Sequence, residues 1–293
     1  MMKTVLVTGS DGMLGKDIVS HLCKKNYRVI PSTIQSMNIV DDNQVAKTLS
    51  SHHPDVVIHA AAYTAVDKAE TEKGKCMAVN FKGTENIARH CEKVGSDLIY
   101  ISTDYVFDGF KEMPYVESDI PHPINVYGQS KFLGEEAVKK YAGRYMICRT
   151  SWLQGLHGIF GMSFIEKIFR LARSEKELKV IHDQRARPTF CFDFAVILEL
   201  LMAKEESGIF HITNSGDCSW FELAKTALEF DQQKDVKLIP VSSEEFKFPA
   251  KRPRNSLLDA PRLKNLGIPH PRHWKEALKE FIATRKNMPR EKH

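Results

Sequence analysis

Tyr127 and Lys131 are the two residues of this chain whose types and spacing most directly suggest chemistry. They stand four positions apart in the segment VYGQSK, residues 126–131. Because about 3.6 residues make one helical turn, both side chains would project from one helix face, about 6 Å apart along the axis. A lysine ammonium favours the phenolate of a nearby tyrosine and so lowers the pKa of that tyrosine. The pair therefore predicts a tyrosine that passes a proton to or from a substrate oxygen.

A glycine-rich turn precedes this pair in the chain. Residues 9–15, GSDGMLG, follow a predicted strand and open a predicted helix. Glycines at this spacing allow a tight turn and let backbone N–H groups approach a pyrophosphate at the positive end of the helix. The turn therefore predicts a dinucleotide site, and the residues expected to contact the cofactor there are Gly9, Ser10, Asp11, Gly12, Met13 and Leu14.

The end of the second predicted strand bears on which nicotinamide cofactor binds. An acidic residue there would bond the adenosine 2′-hydroxyl and repel a 2′-phosphate. This chain has Ser32 and Thr33 instead, and their hydroxyls could donate to either group. The sequence therefore permits NADPH and leaves NADH open.

Three further segments lie where predicted strands end. Ala60, Ala61 and Ala62 are small enough for a dinucleotide to lie across the sheet edge, and ordinary helix–sheet packing explains them equally well. Thr103 could hydrogen-bond a substrate carbonyl and polarise it. Trp152 could cover the apolar face of a sugar or simply fill the core.

Two arginines, Arg187 and Arg252, lie in segments that contain proline. Either guanidinium could hold a diphosphate, although a solvated surface role is more common for any single arginine. The 12 histidines show no ligand spacing such as H-x-x-x-H. The residues themselves therefore give no indication of zinc.

Short apolar strands alternate with amphipathic helices in the first half of the chain and must position these residues. Strands that are apolar throughout and separated by helices indicate a parallel sheet covered on both faces, in a doubly wound α/β (Rossmann) fold. The predicted strands are 3–8, 27–31, 55–59, 97–102 and 145–149, and the predicted helices are 14–25, 43–51, 73–94 and 125–141.

After residue 150 the pattern becomes less regular. The predicted elements there are helices 164–173, 192–204 and 220–230 and a strand 209–213, with loops over 240–271. We therefore predict an NAD(P)-binding domain over 1–150 and a smaller α/β substrate-binding lobe over 151–285, with interleaved elements. Residues 286–293 would form a frayed tail.

Composition excludes several classes of protein. The chain has 293 residues, of which 42% are hydrophobic and 27% are charged, as in an ordinary globular protein. The formal charge of +5 is spread along the chain, without the basic block of a nucleic-acid binder. The six cysteines form no C-x-x-C pair, which predicts reduced thiols. With neither a signal-peptide pattern nor a bilayer-spanning apolar run, we expect a cytoplasmic protein that binds no membrane.

Several longer runs resemble the dTDP-4-dehydrorhamnose reductase family, within the extended short-chain dehydrogenase/reductases. The resemblance covers nearly the whole chain. The run TDYVFDG is specific to this reductase group, whereas the glycine turn and the Y-x-x-x-K spacing are shared across the superfamily. The matching runs are HAAAYTAVDKAE (59–70), VNFKGT (79–84), STDYVFDG (102–109), YGQSK (127–131), RTSW (149–152), RPT (187–189) and RPRNSLLD (252–259).

The resemblance implies an enzyme that uses NADPH to reduce the C4 keto group of dTDP-4-dehydro-6-deoxy-L-mannose, forming dTDP-L-rhamnose for cell-surface polysaccharides. It implies that Thr103, Tyr127 and Lys131 are catalytic. Further implied cofactor contacts are Asn38, Ile39, Ala60, Ala61, Ala62, Tyr127 and Lys131. The implied contacts to the dTDP-sugar are Thr103, Asp104, Tyr105, Trp152, Arg187 and Arg252. The family also includes dimers that use Mg²⁺, so a homodimer and a magnesium ion are both allowed.

Four positions depart from the family pattern and leave the fine substrate and cofactor preferences open. Asn38 stands where an aspartate is usual, and His59 replaces a common asparagine. Ser163 likewise replaces an asparagine, and Ala186 replaces a glycine.

Three other functions stay open. A nucleotide-sugar 4,6-dehydratase or epimerase shares the fold, but dehydratases have a glutamate where Tyr105 follows Asp104. Reduction of another nucleotide-linked keto-sugar, such as a UDP-linked amino sugar, is the nearest enzymatic alternative. A non-catalytic, NADP-binding regulatory subunit, such as that of methionine adenosyltransferase, also resembles this family and could keep Thr103, Tyr127 and Lys131.

Overall fold

A computed structural model describes residues 2–157, 162–233 and 235–288. Its strands are β1 (Lys3–Thr8), β2 (Tyr27–Ser32), β3 (Val56–His59), β4 (Asp97–Thr103), β5 (Tyr145–Thr150), β6 (Leu153–Gln154), β7 (Glu177–Ile181), β8 (Arg185–Ala186), β9 (Thr189–Phe190), β10 (Gly208–His211), β11 (Cys218–Ser219) and β12 (Lys237–Val241). Its α-helices are α1 (Met13–Leu22), α2 (Asp42–His52), α3 (Val66–Thr71), α4 (Lys73–Met77), α5 (Thr84–Val94), α6 (Val126–Tyr141), α7 (Phe164–Leu171), α8 (Cys191–Ala203), α9 (Trp220–Phe230), α10 (Pro261–Asn265) and α11 (Trp274–Asn287). A π-helical turn, Ala78–Gly83, joins α4 to α5, and 3₁₀ turns lie at Asp104–Val106 and Ser243–Glu245.

The main sheet has six strands in the order β10-β5-β4-β3-β1-β2, and every neighbouring pair is parallel. Val5 of β1, for example, lies opposite Val29 of β2 and Val56 of β3. From β1 the chain adds β2 on one side, and it then crosses back to add β3, β4 and β5 on the other side. The strand order therefore reverses between β1 and β3. Ligands of doubly wound sheets bind outside the carboxyl ends of the strands at such a point. The predicted fold class is therefore confirmed.

Both faces of this sheet are covered by helices. Val5 and Val7 pack in one core with α1 and α8, whereas Leu6 packs in a second core with α2 and α5. Successive residues of a strand point to opposite faces, so a strand buried on both sides is apolar without alternation. Leu14 and Ile18, on the predicted buried stripe of α1, lie in the first core.

A third core lies in the second half of the chain. There α7, α9 and α11 contribute Phe169, Leu223 and Phe281, and β12 pairs in parallel with β7. The predicted strand 209–213 is β10, which joins the main sheet beside β5. Segments after residue 150 therefore contribute to the main sheet, and the two-domain division stays a prediction.

Several boundaries differ from those predicted. The predicted helix 73–94 is divided by the π-helical turn, and the predicted loop region 240–271 contains α10 and the end of β12. The sequence analysis missed β7 and α11. Of the predicted frayed tail, Lys286 and Asn287 lie in α11, and 289–293 fall outside the described residues. No helix over the described ranges is both long and apolar enough to cross a membrane.

Candidate active site

A cleft of about 820 Å³ opens at the carboxyl ends of β1, β3, β4 and β5. It brings together most of the residues singled out in the sequence. Those that line it are Gly9, Asp11, Gly12, Met13, Leu14, Ile39, Ala60, Ala61, Ala62, Thr103, Asp104, Tyr127, Lys131 and Trp152. One cleft thus contains the glycine turn, the tyrosine–lysine pair and the strand-end groups.

The glycine turn is closely packed against the end of β3. Gly9 has a positive φ of 63°, which favours glycine, and a Cβ on it would lie 2.8 Å from the backbone nitrogen of Ala61. The N–H of Gly12 donates to the Gly9 carbonyl at 3.0 Å. Gly12 is also the N-cap of α1 and has no side chain to accept from the first helical N–H groups. The first residues of α1 line the cleft, and the unpaired N–H groups of a helix start suit a pyrophosphate, so this end of the site fits a dinucleotide.

His59 supports the ends of the strands beside the glycine turn. In the sequence it stood out only as a departure from a family pattern. It is fully buried, and burial together with the nearby Lys131 charge lowers its pKa to about 3. The Thr84 hydroxyl donates to the Asn80 carbonyl at 2.7 Å, so it accepts from His59 Nε2–H at 3.1 Å. His59 Nδ1 then accepts from the Thr8 hydroxyl at 2.8 Å. The neutral ring therefore links the end of β1 to the first residue of α5.

Asn80, within the π-helical turn, connects the hydrogen bonds around His59 to helix α6. Its amide Nδ2 donates to Ser130 Oγ at 2.9 Å, and Ser130 Oγ donates to the Tyr127 carbonyl at 2.7 Å. Its Oδ1 accepts from the Tyr63 N–H at 2.7 Å. π-helical turns inside α-helices are frequent at functional sites. Asn80 belongs to the run VNFKGT (79–84), which resembles the reductase family. The residues next to it in the sequence do not indicate which distant groups it bonds.

Helix α6 places Tyr127 and Lys131 in the cleft. The side chain of Asn125 caps the helix by accepting from the Gly128 N–H at 2.7 Å. A Cβ on Gly128 would overlap the Tyr105 carbonyl oxygen, so glycine lets the first turn of α6 approach the end of β4 closely. The approach brings Tyr127, which is partly exposed, to the wall of the cleft.

Lys131 is 3% exposed and donates to the Ile101 carbonyl at 2.6 Å. Its ammonium lies 4.1 Å from the centre of the Tyr100 ring. Burial lowers the pKa of Lys131 to about 7, and the Glu135 carboxylate acts in the opposite direction. The lysine can therefore lose its charge close to neutral pH.

Tyr127 differs from the prediction made from its spacing to Lys131. Loss of solvation raises its pKa above the usual value, while the Thr103 hydroxyl acts to lower it. Lys131 is directed toward the Ile101 carbonyl, and loss of solvation is the largest influence on the phenol. In this arrangement Tyr127 is protonated near neutral pH and able to donate.

Thr103 and Asp104 form one hydrogen-bonded unit beside Tyr127. The Thr103 hydroxyl donates to Asp104 Oδ1 at 3.0 Å and accepts from the Tyr105 N–H at 3.2 Å. Asp104 is 2% exposed, and burial raises its pKa to about 6, although a hydrogen bond from Ser256 opposes the shift. Its Oδ2 has no hydrogen-bond partner among the described residues.

Tyr105 follows Thr103 and Asp104 in the chain and is absent from the described lining of the cleft. Its ring packs edge-on against Tyr127, with 5.8 Å between the ring centres. Burial raises its pKa above the usual value, so it stays protonated.

Trp152 also lines the cleft. It stacks on Trp220 with 3.4 Å between ring centres and 10° between ring planes, and Phe164 also packs against Trp220, with 4.4 Å between ring centres. Trp152 also has a φ of 45°, an uncommon conformation for a bulky residue. The sequence predicted Trp152 but offered no indication of Trp220, because the two aromatic residues meet only through the tertiary fold.

Both candidate arginines lie outside the described lining of the cleft. Arg252 makes a bidentate ion pair with Asp67, at 3.0 and 2.7 Å, and its guanidinium lies 3.9 Å from the centre of the Phe248 ring. Arg187 donates to the Leu258 carbonyl at 2.8 Å and to Asp259 at 3.2 Å. Their predicted contacts with a diphosphate stay predictions.

The two remaining predicted cofactor residues are also absent from the described lining. Ser10 is buried, and its N–H donates to the Ser32 carbonyl at 3.1 Å. Asn38 is partly buried, and its side chain accepts from the Val40 N–H at 3.1 Å. Their predicted contacts with a cofactor stay predictions.

The end of β2 carries no charge toward the cleft among the described lining residues, which there are Thr33, Ile34, Met37 and Ile39. Ser32 is buried, and its hydroxyl is paired with that of Ser36 at 3.2 Å. Thr33 is therefore the hydroxyl at this end that faces a cofactor. Over the described ranges no group of three or more His, Cys, Asp or Glu side chains is arranged to hold a metal ion, so the magnesium ion stays a prediction.

The chain is similar to known proteins over nearly its whole length. A family model described as the RmlD substrate binding domain matches residues 2–287. The chain is 38% identical over 284 residues to the spore coat polysaccharide biosynthesis protein SpsK of Bacillus subtilis, covering 97% of this chain and 98% of that protein. It is 35% identical over 274 residues to dTDP-4-keto-6-deoxy-D-glucose reductase of Streptomyces niveus, covering 93% and 94%. The crystal structure of dTDP-4-dehydrorhamnose reductase from Bacillus anthracis in complex with NADP superposes with a TM-score of 0.93 at 37% identity, covering 97% and 100%.

Proposed function

Because the chain belongs to the RmlD substrate binding domain family, we propose that it reduces the C4 keto group of a dTDP-linked 4-keto-6-deoxy sugar with NADPH. The substrate we assign is dTDP-4-dehydro-6-deoxy-L-mannose and the product dTDP-L-rhamnose, a precursor of cell-surface polysaccharide. The family predicted from the sequence runs is confirmed by the match over 2–287.

The observation that carries this proposal is the meeting of a dinucleotide-binding turn and a proton donor in one cleft. Gly9 and Gly12 form one end of that cleft, and Tyr127, Lys131 and Thr103 form its middle. Bound NADPH supplies the hydride, which goes to C4 of the sugar. Tyr127 supplies the proton to the C4 oxygen, since loss of solvation keeps its hydroxyl protonated at neutral pH.

Three side chains support that transfer. The Thr103 hydroxyl, which donates to Asp104 Oδ1 in this structure, lines the same cleft and would turn to donate to the C4 oxygen as negative charge develops on it. Lys131, when charged, stabilises the phenolate that Tyr127 leaves behind. Trp152, held by Trp220, would cover the apolar face of the sugar ring.

The test is NADPH oxidation by the purified protein with dTDP-4-dehydro-6-deoxy-L-mannose. Tyr127→Phe should lower kcat by about 10² or more, as expected for the loss of a positioned general acid, and leave NADPH affinity nearly unchanged. Tyr145→Phe is the matched control, because Tyr145 lies at the start of β5, at the opposite end of the strand from the cleft. Turnover near that of the parent chain in Tyr127→Phe would remove Tyr127 from the mechanism.

One relative favours a second substrate. The Streptomyces niveus protein is a dTDP-4-keto-6-deoxy-D-glucose reductase and aligns over 93% of this chain. That sugar differs from the first in configuration and carries the same nucleotide and the same C4 keto group. Comparing kcat/KM for the two dTDP-sugars and for a UDP-linked keto-sugar decides between them. Failure to oxidise NADPH with any of them, despite tight NADPH binding, would refute the reductase function.

A further inference from the structure

We propose that Glu135 is a positioning residue of this site, whose buried carboxylate ties the Lys131 turn of α6 to the ends of β4 and β5. The role deepens the proposed function and rests on it, because it concerns how Lys131 and Thr103 are held for that reaction.

The geometry around Glu135 is that of a buried ionic network. Arg149 donates through Nε to Glu135 Oε1 at 2.9 Å and through Nη2 to Oε2 at 2.7 Å. The Ser102 hydroxyl donates to the same Oε1 at 2.6 Å. Both charged side chains are 0% exposed. Isolated buried ion pairs contribute little net stability, since removing both charges from water costs about as much as their attraction returns. A role in placing neighbouring groups accounts better for this network.

Each partner of Glu135 adjoins a residue of the cleft. Ser102 precedes Thr103 at the end of β4, and Arg149 lies opposite Ser102 in the register of β4 and β5. Arg149 in turn precedes Thr150 and Ser151, both of which line the cleft. Glu135 itself follows Lys131 by one helical turn. One carboxylate therefore sets the distance between the lysine and two strand ends.

Glu135 also acts on the charge of Lys131, against the larger effect of burial. The titratable or charged groups around this part of α6 are Tyr127 on the helix itself, Glu70 from α3, Cys76 from α4, His59 from β3, Tyr100 from β4, Asp104 after β4 and Arg149 from β5. Burial raises the pKa values of Cys76, Tyr100 and Tyr127 and lowers that of His59. All four are therefore neutral near pH 7.

Among the described residues, Glu135 and Cys76 act to raise the pKa of Lys131, and Glu135 is the larger influence; the Cys76 thiol is neutral near pH 7, which leaves Glu135 as the charged group of the two. Lys131 is charged below its pKa, so losing the Glu135 carboxylate moves that pKa down and removes the ammonium at a lower pH. Activity that needs the ammonium would then be lost earlier as pH rises.

The test measures the titration of Lys131 directly, in protein with ¹³C-labelled lysine side chains, with Lys131→Arg used to assign its resonance. In Glu135→Gln we expect the Lys131 midpoint to fall by about 1 pH unit or more. The alkaline limb of kcat/KM should move by the same amount. Glu136→Gln is the matched control, since Glu136 is the next residue of α6, is 49% exposed and pairs with Lys139 on the surface.

Glu135→Gln leaves Arg149 buried without its partner and could fail to fold, so the double variant Glu135→Gln with Arg149→Met is the second arm. It removes both buried charges, and the Lys131 midpoint should still fall, because the Glu135 carboxylate raises the pKa of Lys131 and Arg149 is not among the groups that act on it. An unchanged Lys131 midpoint and an unchanged pH profile in a folded variant would overturn the proposal. The titration needs neither substrate nor cofactor, so failure of the reductase assay with a normal Lys131 shift would count against the proposed function alone.

Discussion

Replacement of Gly15 by alanine is a severe test of how the dinucleotide end of the site is built. Gly15 lies in the first turn of α1, directly against the Gly9 turn. An alanine Cβ there would overlap the Gly9 carbonyl oxygen and lie 2.9 Å from both the Gly9 carbonyl carbon and Ser10 Cα. All of these are backbone atoms, so no side chain can turn aside. Either α1 or the glycine turn must move.

The magnitude follows from two opposed effects. Overpacking of this kind costs about 1–3 kcal/mol, and the better helix propensity of alanine offsets about 0.5–1 kcal/mol. The free energy of unfolding should therefore fall by about 1–2 kcal/mol, which lowers Tm by about 2–6 °C in a chain of this size. Because the moved backbone carries the N–H groups offered to the pyrophosphate, NADPH should also bind more weakly.

Thermal unfolding at increasing NADPH concentration measures both effects, since ligand at about 100 times its Kd adds about 2.7 kcal/mol to the stability. Gly74→Ala is the matched control: Gly74 also lies in a helix, α4, and a Cβ on it would meet nothing within 4 Å. That variant should gain about 0.5–1 kcal/mol and keep the full NADPH response. If Gly15→Ala melted like the parent chain and kept that response, the close approach of Gly15 to Gly9 would not be what builds the site.

Two further predictions concern stability. Arg252→Ala should lower the free energy of unfolding by about 1.5–3 kcal/mol, because it removes charged hydrogen bonds to Asp67; Arg254→Ala, which loses only the exposed pair with Glu244, should change it by less than about 1 kcal/mol. Equal urea midpoints for the two variants would contradict this difference. Since burial lowers the pKa of His59 to about 3, the unfolded chain takes up that proton first, and stability should fall as pH decreases from about 6.5 toward 3. His59→Asn should weaken this dependence between about pH 6 and pH 4, and an unaltered slope would exclude His59 as one of its sources.

Local sequence patterns were enough to predict the parts of the site that belong to single segments. The glycine turn depends on backbone freedom at Gly9 and Gly12, and the four-residue spacing of Tyr127 and Lys131 depends only on the pitch of one helix. Apolar strands separated by helices gave the parallel sheet, because burial on both faces removes the alternation of a half-exposed strand. The predicted strands of the main sheet accordingly agree with the observed ones to within one or two residues.

The partners of these residues were decided by the tertiary fold. Arg252 meets Asp67 across 185 positions of the chain, and Trp220 reaches Trp152 only because α9 packs beside the cleft. No periodicity within a segment specifies which distant segment will lie against it. The sequence around Arg252 allows a contact with a diphosphate, and the ion pair with Asp67 exists only in the folded chain.

The electrostatics of the proton-transfer pair show the same division. Spacing alone predicted that Lys131 lowers the pKa of Tyr127, since an ammonium and a phenolate four residues apart on a helix have opposite charges and attract. The fold instead removes water from both groups, directs the ammonium to the Ile101 carbonyl and places Glu135 one turn further along α6. The sequence determined which groups are present and on which helix face they stand. Only the tertiary structure decided how much water each group loses, and desolvation of a charge is a property of the whole surrounding fold.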